Sequence, residues 1–147
     1  MSSALTELPL LSANLRKLAA VPSQLSTKAA ARLTILVQIN TASGLDAYSK
    51  PFAPLALSTI RRGRKPPPMT NTGKSLDETR FTAMGGAGIA MVIGGAYKYH
   101  VRSTKSRPAR SVAPERSGMP AAWSRVIREV ETSVVRIACP ELLKGVA

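Results

Sequence analysis

The sequence predicts a mostly α-helical chain with disordered segments, carrying one transmembrane helix and one C-terminal amphipathic helix, and lacking a large globular core. Three observations predict it. Residues 81–97 contain no charged side chain. After Pro120, apolar residues recur at three- and four-residue spacing, the period of one helix face. Around both segments lie basic stretches dotted with Pro and Ser that hold no apolar period.

Composition narrows the class. The 147 residues include two Phe, three Tyr and one Trp, so a conventional core would rest on Leu, Val, Ile and Ala. Lys and Arg number 21 against 8 Asp and Glu, a net charge of +13. That balance selects anionic partners: nucleic acid, anionic lipid, or machinery that draws in basic presequences. A single cysteine, Cys139, excludes an internal disulfide and a Cys-based zinc site. The single histidine, His100, sits in a basic run. General acid–base chemistry needs converging titratable groups, and the spacing of these residues brings none together. The sequence therefore assigns no catalytic, cofactor-binding or metal-binding residue, and the expected class is not an enzyme.

Residues 1–50 read as an organelle transit peptide. Up to Gln38 they hold one acid, Glu7, and four bases, Arg16, Lys17, Lys28 and Arg32, in a Ser-, Ala- and Leu-rich background. Leu8, Leu11, Leu15 and Leu18 recur at helical spacing. Cleavage is expected between about residues 30 and 60. The competing reading is an amphipathic helix followed by a short strand at residues 33–39. Residues 51–75 form a basic, Pro-rich linker. Its RRGRKPPP run is either a nuclear-localisation or nucleic-acid patch, or, as is commoner, a solvated or lipid-facing charge run. Two glycine motifs fail on inspection. PMTNTGKS lacks the first glycine of a phosphate-binding loop. GAGIAM places Met91 where a dinucleotide fingerprint needs its third glycine.

Residues 76–102 are expected to form one helix. Ser75 and Glu78 have capping-box spacing, acids occupy the first turn, and Lys98, His100 and Arg102 follow the apolar run. Its span, residues 81–97, would rise about 25 Å. Arg80, Tyr97, Lys98 and Tyr99 are then the membrane-interface residues. Gly86, Ala90 and Gly94, four apart, would form a small-residue stripe for packing against another helix. Residues 103–119 are a basic disordered linker. Residues 120–139 are an amphipathic helix whose Trp123, Val126, Ile127, Val130, Val134 and Ile137 face would dock on a partner, on lipid or back on the chain. Arg125 and Glu129 would pair across one turn. Residues 140–147 are a tail.

The succession of basic presequence, short basic lead-in and GKSLDETRFTAMGGAGIAMVIGGAYKY resembles subunit VIIa of cytochrome c oxidase, a single-span accessory subunit. Gly73, Asp77, Arg80, Thr82, Gly94, Gly95, Tyr97 and Tyr99 carry the resemblance, although this chain continues well past the point where such subunits end. The resemblance implies a structural subunit with no haem or copper ligands of its own. The leading functional expectation is a non-catalytic accessory or assembly subunit of a mitochondrial inner-membrane respiratory complex. It would act by helix packing, with membrane lipid and other transmembrane subunits as partners. The second is a basic organellar RNA-associated protein that uses residues 61–65 and 102–116 on phosphates. The third is a reading frame without selected function, because translated GC-rich sequence has similar Arg-, Ser-, Pro- and Ala-rich tails.

Overall fold

The computed structural model describes residues 3–64, 73–86, 88–95, 97, 110–114, 118–138 and 140. Its elements in chain order are helices α1 (Ser3–Ala42), α2 (Leu57–Arg61) and α3 (Lys74–Glu78), strands β1 (Arg80–Ala83) and β2 (Ile89–Val92), and helix α4 (Ala121–Ala138).

α1 is 40 residues long, and no glycine interrupts it before Gly44. There the helix stops, because Gly44 adopts φ 78°, a left-handed conformation that costs a residue without Cβ little. The Leu45 N–H reaches back to the Asn40 carbonyl at 2.8 Å and the Gly44 N–H to that of Thr41 at 3.0 Å. These two bonds close a Schellman motif and satisfy carbonyls that the helix end leaves open. Residues 33–39, for which a strand was the competing expectation, lie inside this helix.

The C-terminal half of α1 and α4 run antiparallel. Leu33 and Val37, late in α1, bury with Trp123, early in α4. Ala29, one turn earlier in α1, buries with Val130 and Val134, later in α4. Val21 and Leu25 extend that second cluster. The stripe 21, 25, 29, 33, 37 follows the i+4 row of a helix surface, which is why one side of α1 can stay continuously against α4.

β1 and β2 make an antiparallel hairpin in which Arg80 faces Val92 and Ala83 faces Ile89. It lies beside α1. The Phe81 N–H donates to Thr34 Oγ1 at 2.9 Å, and Gln38 Nε2 donates to the Thr79 carbonyl at 3.4 Å. Helix side chains thus satisfy backbone groups on and next to the outer edge of β1. Phe81 meets Trp123 edge to face, ring centroids 5.0 Å apart. A third cluster joins Phe52, Tyr97 and Val112. Arg110 braces it, donating from Nε to the Ala53 carbonyl at 2.9 Å and from Nη2 to that of Pro54 at 2.8 Å.

The structure corrects the expected fold class. Residues 80–97 are a hairpin and its exit, not a helix, and among the described residues no helix is long and apolar enough to cross a membrane. The cause is glycine. Gly85, Gly86 and Gly95 take φ of 73°, 49° and 48°, values no right-handed helix contains. A glycine in a helix interior also costs about 1 kcal/mol relative to alanine. The expected capping box is absent as well. Ser75 lies within the single turn of α3, which starts from Gly73 and carries no side-chain cap. Membrane and transmembrane character, read from that span, falls with it.

A transit peptide ending near residue 50 would also remove Ala29, Leu33, Val37 and Ala47, all buried. Leu33, Val37 and Ala47 bury with Trp123 of α4, and Ala29 with its Val130 and Val134.

Candidate nucleic-acid interface

The expected packing residues are dispersed. Gly86 lies in the exposed hairpin turn, Ala90 pairs with Thr82 in the sheet, and Gly94 is buried at the exit of β2. They form no stripe. Gly94 is nonetheless required to be small, because a Cβ there would fall 2.8 Å from the carbonyl carbon of Glu78. Its N–H donates to Thr79 Oγ1 at 3.1 Å, which holds the strand exit against α3.

The expected membrane-interface residues have other places too. Arg80 is exposed at the start of β1. Tyr97 is buried with Phe52 and Val112. Burial pushes its phenol up from 10.0 to about 12, and the nearby Asp77 carboxylate adds to the rise. Lys98 and Tyr99 lie outside the described residues, as do His100 and Cys139.

The expected docking face of α4 is largely occupied by the chain itself. Trp123, Val130 and Val134 are buried, and Val126 and Ile127 are half-buried against α1 and the hairpin. Ile137 alone of the six remains exposed. Glu129 does not pair with Arg125. It crosses to α1, where Arg32 Nη2 donates to its Oε2 at 2.8 Å.

What the molecule presents outward is positive charge. Every described Lys and Arg is exposed except Arg110. Among the described residues the Arg32–Glu129 contact is the one ion pair. Around it the α1–α4 seam concentrates cations. Lys28 precedes Arg32 by one turn of α1. Arg125 precedes Glu129 by one turn of α4, and Arg136 follows Arg125 by eleven residues, about three turns. These four bases therefore line one side of the seam, with Glu129 in their midst. A second cluster, Arg61, Arg62 and Arg64, is exposed at the end of α2 and in the turn at Gly63, where φ is 82°.

The seam could not be read from the sequence, because it depends on which helices pair and in which direction. The spacing of Arg125 and Arg136 was the available signal. Arg110, within the stretch expected to bind phosphate, instead serves the fold through its two carbonyl contacts.

The chemistry of this surface is electrostatic. Among the described residues no aromatic ring is exposed: Phe52, Tyr97 and Trp123 are buried, and Phe81 and Tyr48 half-buried. Bases of a bound strand would find no ring to stack on, so contacts would fall on phosphates. Among the described residues no three His, Cys, Asp or Glu side chains are grouped to hold a metal ion. No protein-family model, curated protein or solved structure matches the chain.

Proposed function

We propose that this chain is a non-catalytic basic protein of an organelle that binds single-stranded RNA through its phosphates. The observation that carries the reading is the outward display of nearly all described cations around a small apolar core, with one carboxylate pairing. Lys28, Arg32, Arg125 and Arg136 supply a fixed set on the helix seam, and Arg61, Arg62 and Arg64 a second set on a turn. The accessory-subunit reading depended on a span and on two apolar packing faces. The span segment is a hairpin, and the faces are dispersed or packed within the chain.

Charge without stacking has a measurable signature. About five phosphate contacts on a single strand give a slope near −3.5 in log K against log salt, so affinity should fall about a hundredfold between about 50 and 200 mM salt. Fluorescence anisotropy with a mixed-sequence single-stranded RNA reads this directly. The combined Lys28→Glu, Arg125→Glu and Arg136→Glu variant should weaken binding at least tenfold and flatten the slope. Absence of saturable binding at the lowest salt, or a slope near zero, would sink the proposal.

A further inference from the structure

We infer that the part of α1 ahead of Pro22 is a detachable basic presequence, and that the folded domain begins at Val21. α1 is one helix by backbone, but burial divides it in two. Residues 12–19 are all exposed, including Leu15 at 56% and Leu18 at 44%. From Val21 onward the helix joins the core through Leu25, Ala29, Leu33 and Val37.

The division coincides with a weak point. Pro22 has no N–H to offer the Leu18 carbonyl, and its ring crowds that carbonyl. Ahead of it stand 18 helical residues, Ser3 to Ala20, and those described by burial up to residue 19 lie outside the core. Pro9 interrupts that stretch, leaving Pro9 to Ala20 as its longest unbroken run, and a lone helix of about 12–15 residues or fewer is only marginally stable in water. It can open at residues 17–20 without disturbing the α1–α4 seam, which is what a protease needs in order to seat the chain in extended form.

Composition supplies the second line. This arm carries Ser3 and Ser12, the adjacent bases Arg16 and Lys17, leucines at helical spacing and one acid, Glu7. Such a pattern marks organelle presequences. The fold thus moves the boundary from the expected range of 30–60 to the stretch between Lys17 and Pro22. The enzyme class required is a processing endopeptidase acting just past a basic pair. Water adds across one peptide bond, its hydroxyl going to the new carboxyl end and its proton to the new amine.

The test is import of the labelled full chain into isolated energised mitochondria, with the N-terminus of the protease-protected product identified by mass spectrometry. The expected N-terminus lies between Leu18 and Pro22. An uncut product, or a terminus beyond Pro22, overturns the inference. Limited trypsin digestion of the full chain gives an independent readout. Cleavage after Arg16 or Lys17 should run on the order of tenfold faster than after Lys28 or Arg32, because the latter bonds open only with the packed helix. Equal rates would show that α1 opens as a unit and would overturn it too. Neither readout involves RNA, so each result stands apart from the binding proposal.

Discussion

Residues 80–97 and α4 are matched in length, and both read as helices from their apolar content, yet one is a hairpin and the other a helix. α4 contains neither glycine nor proline, and its apolar residues keep three-four spacing throughout. The other segment carries glycine at 85, 86, 88, 94 and 95. In β1 its side chains alternate, with Arg80 and Thr82 exposed and Phe81 and Ala83 half-buried. Low charge says that a segment wants burial. Periodicity and glycine say in which form, and here they outweighed charge.

Trp123 is where the two regions meet, and its loss should give the largest effect. Trp123→Ala removes the partner of Phe81 and opens the Leu33–Val37 cluster together, at a cost of about 3–5 kcal/mol. Urea unfolding followed by circular dichroism measures it. Trp123→Phe should cost much less, because the indole N–H is buried without an acceptor among the described residues.

Gly94→Ala comes next. The added Cβ meets the backbone of Glu78, and overpacking of this kind costs about 1–3 kcal/mol. An unchanged urea midpoint would mean that α3 and the exit of β2 are not held together as described.

Gly86→Ala separates hairpin from helix by sign. At Gly86 the added Cβ has open space, but φ is 49°. The substitution should therefore destabilise by about 1 kcal/mol through backbone strain alone. In a helix the same change would stabilise by about 1 kcal/mol. A gain in stability would break the comparison.

The smallest effect at neutral pH belongs to Tyr97. Its folded-state phenol is raised from 10.0 to about 12, so folding favours the protonated form. That contribution is fully present below pH 10 and is lost as pH rises through about 12. Absorbance titration should show a phenol ionising near pH 12, and Tyr97→Phe should remove that step.

Much of the outline was readable from the chain. The three-four spacing of Trp123, Val126, Val130 and Val134 specifies a helix with one apolar face, and the glycine-free run before Gly44 permits a long one. The count of Lys and Arg sets a net charge of +13 whatever the fold. The hairpin was readable in principle from the alternation in β1 and from the glycines at its turn. The absence of charge over residues 81–97 drew the reading elsewhere.

Pairing was the part that sequence could not supply. Whether the α4 face meets lipid, a partner or its own chain is a choice among apolar surfaces of similar chemistry, and no local spacing distinguishes them. The same holds for Glu129, which has Arg125 one turn away but bridges to Arg32, 97 residues distant. Local periodicity determined which surfaces of this protein must be covered. Only the tertiary structure decided what covers them, because burial free energy is non-directional and contact geometry selects the partner.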